Sequence, residues 1–338
     1  MNKFKDKVIV ITGGTGFIGT NLIISLLQQD VKKVVCIARD ADKIIRTDNN
    51  LFLDYACTFK LQPISADLET TSLFSVLNNY QIDPDYIFHL AAVSGGIHWL
   101  KQNQAKVLNT NISILANSFQ NIEQFKNLKG NLYLSSVCAY PQELQEDTKN
   151  CTLSDFEAIN EIHNPDSSYG WSKIIGEMLV KHYTAEFKVP GVIVRMFNVY
   201  GPYEKLDINQ THVIPALIIK AMKYPEVSFE VLGDGTQVRS FLYVDDAIKA
   251  LKLAILKVKD GDIINVGITE GITIKEITEQ IIKISGKNIA PTYSSVVASG
   301  VKARLPKIIK ASMRLGWTPK TPLEKGLLKT YKWIAENL

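Results

Sequence analysis

The feature that most constrains the fold is the junction between a β-branched run and a glycine cluster near the start of the chain. The run 8–12 (VIVIT) is followed directly by Gly13, Gly16 and Gly19 in G-x-x-G-x-x-G spacing. An apolar-periodic segment, 21–27, follows without a proline, so the order predicts a buried strand, a tight turn and a helix. Glycine lets the backbone approach a ligand closely, and a helix N-terminus attracts an anion. We therefore predict a dinucleotide-binding turn made by Gly13, Gly16, Phe17, Ile18 and Gly19.

Composition excludes several other classes of protein. The chain has 338 residues, of which 46% are hydrophobic and 21% are charged, a balance typical of globular domains. The net charge of +4 comes without a long basic run, so nucleic-acid binding has no electrostatic support. The four cysteines lack metal-ligand spacing, which indicates a reduced compartment and no metal site. Since neither a signal sequence nor a membrane-spanning run is recognisable, we expect a cytoplasmic protein.

The end of the second predicted strand, 33–37, bears on cofactor choice. In dinucleotide folds an acidic residue here binds the adenosine ribose, whereas an arginine accommodates a 2′-phosphate. Arg39 follows Ala38, and Lys43 lies one turn later, which favours NADP. Asp40 leaves NAD open, because a shift of two residues would place it on the ribose.

Further strands alternate with long helical segments along the first two thirds of the chain. This alternation predicts an α/β fold with a doubly wound parallel (Rossmann) sheet, whose ligands lie at the carboxyl ends of the strands. We expect a dinucleotide-binding domain over 1–190, a sixth strand that joins its sheet, and a smaller mixed α/β region over 198–338. The predicted strands after the second are 61–65, 86–92, 131–134, 192–197 and, in the C-terminal region, 228–232; the predicted helices are 104–122, 169–187, 214–223 and 245–258.

Residues at the ends of the third and fourth strands are candidates for cofactor contacts. Asp67 and Leu68 follow the third strand, where Asp67 is placed to meet the adenine. Ala91 and Ala92 end the fourth, and their small side chains let the cofactor lie against the sheet. His89, within that apolar strand, is interpreted as a structural histidine. The polar segment 142–166 has no clear periodicity and is predicted to be a loop over the site.

A tyrosine and a lysine four residues apart begin the next long helix. Tyr169 and Lys173 share one helical face, and an ammonium beside a phenol favours the phenolate and lowers its pKa. Such a tyrosine serves as an acid or base near neutral pH. The Y-x-x-x-K pattern is common by chance, but here it follows a dinucleotide turn and a strand that ends at Ser136.

Together these segments resemble the extended short-chain dehydrogenase/reductase family, and within it the nucleotide-sugar epimerases, dehydratases and reductases. The resemblance covers nearly the whole chain and implies an NAD(P)-dependent enzyme acting on a nucleotide-diphosphate sugar. The matching segments are 12–19, 89–92, 136, 169–173, 195–202, 233–235, 239–241, 244–246 and 315–323.

The resemblance also implies roles for single residues. Ser136, Tyr169 and Lys173 correspond to a catalytic trio. Tyr169 would exchange a proton with the sugar C4 oxygen while hydride moves between C4 and the nicotinamide, and Ser136 would hydrogen-bond that oxygen. The positions that usually hold the substrate's diphosphate are Asn198, Arg239 and Arg304.

Within the family, the residues after Ser136 separate the possible reactions. Enzymes that eliminate water across C5 and C6 carry Asp-Glu here, whereas this chain has Val137 and Cys138. The loop 136–141 is instead similar to that of GDP-fucose synthase and GDP-mannose 3,5-epimerase, in which a cysteine moves protons beside a keto group. The segments 94–97 and 212–217 are similar to their glycine loop and to the segment holding a partner histidine. They provide Gly95, Val213 and the predicted acid/base residue His212.

These observations favour epimerisation of a nucleotide sugar, more readily GDP-linked than UDP- or dTDP-linked, at C3 or C5 through a 4-keto form. Reduction of C4 by NADPH is compatible with the same site. One alternative is a C4 epimerase, reductase or dehydrogenase in which Cys138 is only a packing residue. Another is a cofactor-bound structural subunit, which the intact Ser136, Tyr169 and Lys173 disfavour. The helices 104–122 and 169–187 have apolar positions at helical spacing, so we expect a homodimer that pairs them.

Overall fold

The computed structural model describes residues 3–46, 51–147, 151, 153–155, 164–208, 210–294 and 301–338. Its strands are β1 (Val8–Thr12), β2 (Lys33–Ala38), β3 (Leu61–Ser65), β4 (Tyr86–His89), β5 (Gly130–Ser136), β6 (Gly191–Met196), β7 (Val199–Tyr200), β8 (Glu230–Val231), β9 (Val238–Arg239), β10 (Leu242–Tyr243), β11 (Asp260–Val266), β12 (Ile272–Thr273), β13 (Thr292–Tyr293) and β14 (Ala303–Arg304). Its α-helices are α1 (Phe17–Leu27), α2 (Lys43–Arg46), α3 (Leu51–Cys57), α4 (Leu73–Asn79), α5 (Ile97–Gln102), α6 (Gln104–Phe119), α7 (Ser167–Phe187), α8 (Val213–Met222), α9 (Val244–Lys257), α10 (Ile274–Ser285) and α11 (Leu323–Asn337).

The central sheet has seven strands in the order β3-β2-β1-β4-β5-β6-β11. Every neighbouring pair is parallel, which confirms the predicted doubly wound sheet. The only proline in these strands, Pro63, lies in the edge strand β3, where a missing N–H donor is tolerated. The seventh strand, β11, comes from the C-terminal region and was not predicted from the sequence.

Helices cover both faces of the sheet because its strands are apolar on both sides. In β1, Ile9 and Ile11 pack in one buried cluster with Leu22 of α1. Val10, between them, packs in the other cluster with Leu115 and Phe119 of α6. Alternate side chains of a strand point to opposite faces, so one continuous apolar run supplies two cores.

Several predicted boundaries are wrong. The fourth strand ends at His89 rather than at residue 92, because Ala91 N–H turns to the Thr12 hydroxyl at 3.2 Å. Helix α6 ends at Phe119 rather than at 122, because Asn121 adopts a left-handed φ of 62°. The strand predicted over 228–232 is the two-residue β8. The end of the fourth strand is thus decided by a contact from elsewhere in the chain, which local periodicity does not contain.

His89 lies inside the protein rather than at a reactive surface. Its ring stacks on Phe119, with centroids 4.7 Å apart. Burial lowers the pKa of His89 to about 3, so the imidazole stays neutral, in line with a structural role.

The segment predicted as a loop over the site is partly described. Residues 142–145 form a 3₁₀ turn, and isolated β-bridges join Pro141 to Pro165 and Leu153 to Pro306. The first bridge joins the two ends of the segment, and the second ties it to the C-terminal region beside β14. Residues 148–150, 152 and 156–163 of the predicted loop lie outside the described residues.

The described ranges contain neither a membrane-spanning helix nor a metal-binding cluster. No helix there is long and apolar enough to cross a membrane. Within the same ranges, no group of three or more His, Cys, Asp or Glu side chains is arranged to hold a metal ion.

Candidate active site

A cavity of about 880 Å³ lies at the carboxyl ends of the central strands. Its wall runs from the glycine turn after β1, past the ends of β4 and β5, to α8 and β9. The predicted site residues on this wall are Gly13, Gly16, Phe17, Ile18, Gly19, Arg39, Asp67, Leu68, Ala91, Ala92, Gly95, Ser136, Cys138, Tyr169, Lys173, Asn198, His212, Val213, Arg239 and Arg304. The fold therefore brings every one of them to a single cavity, and their individual roles stay predictions.

The glycine turn has the close contacts that a dinucleotide cradle requires. Gly13 has a φ of +69°, and a Cβ there would lie 2.8 Å from Ala91 Cα. A Cβ on Gly19 would lie 2.4 Å from the Gly13 carbonyl oxygen, so only hydrogen fits at either position. Helix α1 begins at Phe17, and its N-cap residue Gly16 supplies no side-chain cap. The first-turn N–H groups are therefore placed to bind a pyrophosphate, and the residues fit a dinucleotide.

Arg39 and Asp40, which favour NADP and NAD respectively, both follow the end of β2. The Asp40 carboxylate accepts a hydrogen bond from Arg46 Nη2 at 2.6 Å. Arg39 is exposed and lines the cavity. Asp40 lines the cavity as well, so both charges border it, and the Asp40 carboxylate already has a cation partner. After β3, Asp67 is held by a hydrogen bond from Glu69 N–H at 2.9 Å.

Ser136, Tyr169 and Lys173 meet where β5 ends and α7 begins. The Ser136 hydroxyl accepts a hydrogen bond from Cys138 N–H at 3.2 Å. Lys173 Nζ donates to the Leu134 carbonyl at 2.9 Å and lies 5.2 Å from the centroid of the Tyr169 ring. Burial lowers the pKa of Lys173 to about 8. A serine hydroxyl, a phenol and a cation thus share one small buried volume.

The expected lowering of the Tyr169 pKa by Lys173 is wrong for this structure. Burial raises the pKa of Tyr169, Cys138 adds to the rise, and a hydrogen bond with Ser136 opposes it. The physical reason lies in geometry, since the Lys173 ammonium sits over the ring face and donates to a backbone carbonyl. Desolvation therefore outweighs the attraction between the two groups.

A buried ion pair that the sequence reasoning missed lies beneath this trio. Glu177 binds Arg195 through two hydrogen bonds of 2.8 Å, and both side chains are at most 2% exposed. Ser135 donates to the same carboxylate at 2.5 Å. The Arg195 guanidinium also lies 4.4 Å from the centroid of the Tyr140 ring. Glu177 follows Lys173 by four residues on α7, so the i,i+4 spacing was the available signal.

Asn111 of α6 fixes the chain that leaves β4. Its side chain accepts from Val93 N–H at 2.7 Å and donates to the Val93 carbonyl at 3.1 Å. It also donates to the Ser172 hydroxyl at 3.3 Å. One amide therefore ties the strand end, α6 and α7 together beside the cavity.

Cys138 lies in a 3₁₀ turn after β5, beside a guanidinium from the far end of the chain. Arg304 Nη1 donates to Cys138 Sγ at 3.7 Å, and Nε donates to the Gln145 side chain at 3.0 Å. Its remaining nitrogen pairs with Asp166. Arg304, predicted to hold a diphosphate, thus already has a carboxylate partner. Its cationic fork instead lies against the Cys138 sulfur.

Arg239 suits an anionic ligand, whereas Oδ1 of Asn198 is an acceptor and leaves only its NH₂ group to face a phosphate. Arg239 donates to the carbonyls of Val238, Val301 and Lys302 and to the Gln237 side chain. Burial, followed by repulsion from Arg304, lowers the pKa of Arg239 to about 9. Asn198 Oδ1 is buried with no hydrogen-bond partner within the described ranges. A buried cation on neutral acceptors suits a diphosphate.

His212 is the N-cap residue of α8 and lines the cavity. Its Nδ1 contacts Oε1 of Glu204, which lies in the loop after β7. The attraction of Glu204 raises the pKa of His212 against the opposing effect of burial. Gly96 N–H donates to the Gln210 carbonyl at 3.3 Å, so the glycine loop containing Gly95 closes against the loop that carries His212. Sequence reasoning did not identify Glu204.

Over most of its length, the chain is similar to known proteins of one family. Residues 9–267 match the model of the NAD dependent epimerase/dehydratase family. The chain is 29% identical to GDP-mannose 3,5-epimerase of Arabidopsis thaliana over 332 residues, covering 98% of this chain and 82% of the relative. It is 26% identical to GDP-L-fucose synthase of Sinorhizobium fredii over 341 residues, covering 98% and 96%.

Solved structures share the whole architecture. UDP-glucose 4-epimerase of Thermotoga maritima matches with a TM-score of 0.82 at 24% identity, covering 98% of this chain and 99% of its own. UDP-glucuronic acid 4-epimerase of Bacillus cereus, in complex with UDP-glucuronic acid and NAD, matches with a TM-score of 0.81 at 27% identity. That match covers 98% of this chain and 100% of the other. The seven-stranded sheet and the C-terminal region therefore follow one common fold.

Proposed function

The chain belongs to the NAD dependent epimerase/dehydratase family, and we propose that this nucleotide-sugar enzyme epimerises its sugar at C3 or C5 through a 4-keto form. The observation that carries the proposal is that Cys138 and His212 line the same cavity as Tyr169. Their sequence positions are far apart, and neither is needed for chemistry at C4 alone. Two curated relatives over 98% of the chain, a GDP-mannose 3,5-epimerase and a GDP-L-fucose synthase, support the same chemistry.

When bound, a dinucleotide would supply the hydride chemistry at C4. Gly13, Gly16 and the first turn of α1 would hold its pyrophosphate, and Lys173 would orient its nicotinamide ribose. Tyr169 takes the proton from the sugar C4 hydroxyl and returns it when C4 is reduced. Ser136 hydrogen-bonds the C4 oxygen as its charge changes.

Chemistry beside the ketone then belongs to two other side chains. A 4-ketone acidifies the protons on C3 and C5, and inversion needs one group to remove a proton and another to return it on the opposite face. Cys138, with its sulfur beside the Arg304 guanidinium, removes the proton. His212 delivers one from the other wall of the cavity.

We assign NADP rather than NAD on the basis of the end of β2. Arg39 is exposed there on the cavity wall, while Asp40 is occupied by Arg46. The structural relative from Bacillus cereus contains NAD, so this assignment departs from that neighbour. An exchangeable NADPH is also what net reduction at C4 requires.

We assign a GDP-linked sugar because the two curated relatives named above act on GDP-sugars. The solved relatives bind UDP-sugars, so the base is open to test. Calorimetric titration of GDP and UDP into the NADPH-loaded enzyme checks it, and tighter binding of UDP would overturn the assignment. Arg239 and Asn198 are the proposed diphosphate contacts.

The reaction is tested by isotope exchange. The enzyme is incubated in D₂O with a GDP-linked 4-keto-hexose, and proton NMR follows the signals of C3 and C5. We expect deuterium at one or both carbons and about a 100-fold slower exchange in Cys138→Ser, since an alcohol of ordinary pKa is a poor base. Cys57→Ser, at an exposed cysteine of α3, controls for loss of a thiol.

Absence of exchange in the wild type, with C4 hydride transfer intact, would favour the second candidate function. That candidate is a C4 epimerase, reductase or dehydrogenase in which Cys138 only packs. It is favoured by the 4-epimerase from Bacillus cereus among the structural relatives.

We also propose a homodimer formed by α6 and α7, which pack together in this chain. Ile112, Trp171 and Met178 on these helices are 36%, 44% and 51% exposed. Apolar side chains of this size in one helix pair are suited to a self-complementary four-helix contact. Light scattering at micromolar concentration is expected to give twice the 37.8 kDa chain mass, and Met178→Glu to give the monomer.

A further inference from the structure

The loop between β7 and α8 carries a buried carboxylate that the proposed mechanism has not used. The Glu204 side chain is only 4% exposed, whereas the His212 side chain that it contacts is 55% exposed. Oε1 of Glu204 meets His212 Nδ1 and accepts weak hydrogen bonds from His212 N–H at 3.4 Å and from the Thr211 hydroxyl at 3.5 Å. Oε2 is buried with no hydrogen-bond partner within the described ranges. A carboxylate this poorly solvated is costly unless a cation faces it.

We propose that Glu204 is the positioning residue for His212: it holds the proton on Nδ1 and leaves Nε2 as the nitrogen that delivers a proton into the cavity. The inference rests on the proposed function, because it assigns the direction in which His212 works. Glu204 is not on the cavity wall, whereas His212 is. It therefore acts on the reaction only through the imidazole.

The anchoring nitrogen follows from the two contacts at the N-terminus of α8. In this contact the Glu204 carboxylate oxygen is the acceptor and Nδ1 the donor, which makes the neutral ring the Nδ1–H tautomer. The same oxygen also lies 3.4 Å from the His212 backbone nitrogen, so the carboxylate that contacts the ring is itself held at the start of α8. Nδ1 is thereby fixed against the loop, and Nε2 remains for the substrate.

The charge balance around the ring gives the direction of transfer. Glu204 raises the pKa of His212, while burial and Lys205 act in the opposite sense, and the net shift is upward. The imidazolium gives its Nε2 proton to the enolate carbon, where a C–H bond forms and the ketone is restored. The ring ends neutral and the Cys138 sulfur, which took the first proton, ends as a thiol. Exchange with solvent returns both groups to their starting states.

The first test reads the histidine directly and needs no turnover. Two-bond ¹H–¹⁵N spectra of the ¹⁵N-histidine-labelled, NADPH-loaded enzyme report the tautomer and pKa of each ring, and His212→Gln assigns the His212 signal among the five histidines. We expect the Nδ1–H tautomer in the wild type. In Glu204→Gln, which keeps an acceptor oxygen but loses the charge, the pKa of His212 falls by about 1. Lys205→Met is the matched control, since removing a cation in the same loop raises that pKa.

The second test is the pH profile of deuterium exchange. At a pH above the range in which His212 titrates, Glu204→Gln is expected to exchange about tenfold more slowly than wild type, because a tenfold smaller fraction of His212 is protonated. Lowering the pH restores most of the rate, because it returns His212 to its protonated form. A loss that acid does not restore indicates that Glu204 only shapes the loop, and that result overturns the inference.

The two proposals fail in different ways. An unchanged tautomer and pKa in Glu204→Gln overturn the role of Glu204 and leave the C3/C5 chemistry standing. If the wild type exchanges no deuterium, the proposed function fails. The assignment of His212 as proton donor then fails as well, whatever the spectra show.

Discussion

The two parts of the cavity are built differently. The hydride part, Ser136, Tyr169 and Lys173, lies at the end of β5 and the start of α7, above the Glu177–Arg195 pair. The proton part, Cys138 and His212, is carried by a 3₁₀ turn and a loop. Cys138 contacts Arg304 from the far end of the chain, whereas His212 contacts Glu204 of its own loop. The first is fixed by the central sheet and its covering helix, whereas the second depends on how loops and the C-terminal region dock onto them. A fold of this kind can keep hydride transfer constant while varying the chemistry beside C4.

The ion pairs in the two parts differ in the same sense. Glu177 and Arg195 are 1% and 2% exposed, and their hydrogen bonds are bidentate. Asp166 and Arg304 are 15% and 11% exposed, and the same guanidinium also contacts the Cys138 sulfur. The buried pair is therefore mainly structural. The Asp166–Arg304 pair is closer to solvent and contacts Cys138, a predicted acid/base residue. Its charge therefore bears on function.

The largest expected effect separates the two parts by activity. Tyr169→Phe removes a proton donor with little change in volume, so hydride exchange at C4 is expected to fall about 10⁴-fold. NADPH binding, measured by fluorescence titration, should change little. With a substrate supplied already as a ketone, deuterium exchange at C3 or C5 should persist. Simultaneous loss of exchange in that substrate would show that the two parts do not work separately.

The next effect is on stability. Arg195→Met leaves the Glu177 carboxylate buried without its cation, so the free energy of unfolding is expected to fall by about 3–5 kcal/mol. Arg304→Met should cost less because its pair is closer to solvent, and it should instead slow deuterium exchange. Urea denaturation followed by circular dichroism measures the free energy of unfolding of both variants. Equal destabilisation by the two variants would contradict the distinction between a structural and a functional pair.

The smallest expected effect lies at the far end of the sheet. Arg39→Ala removes the cation proposed to bind the 2′-phosphate, so the preference for NADPH over NADH should shrink by about 1.5–3 kcal/mol. Calorimetric titration with both cofactors measures it, and Lys43→Ala reports the share of the neighbouring cation. Equal affinity of the wild type for the two cofactors would contradict the role of Arg39 and would favour Asp40 as the ribose contact and NAD as the cofactor.

Much of the fold and of the cavity wall was predictable from local pattern. Apolar runs that end in glycine, serine or alanine predict a parallel sheet with ligand contacts at the carboxyl ends of its strands, as at Gly13, Ala91 and Ser136. Glu177 was within reach of the same reasoning through its i,i+4 spacing to Lys173. The seventh strand, β11, was not recognised, because Asp260, Asp262 and Asn265 interrupt its apolar residues, whereas β6 has a continuous apolar run, 192–194.

What the sequence by itself determined is which residues carry chemistry and on which kind of element they lie. Period, β-branching and glycine spacing are local properties, and they are enough to predict a parallel sheet with its ligands at the carboxyl ends of the strands. The partners of the reactive groups were decided only by tertiary structure. Arg304 reaches Cys138 across 166 positions and Arg195 reaches Glu177 across 18, and such contacts depend on how elements dock. The direction of a pKa shift depends on the same docking, because burial and neighbouring charge are properties of the folded chain. For that reason the structure, and not the Y-x-x-x-K pattern, shows that desolvation dominates at Tyr169.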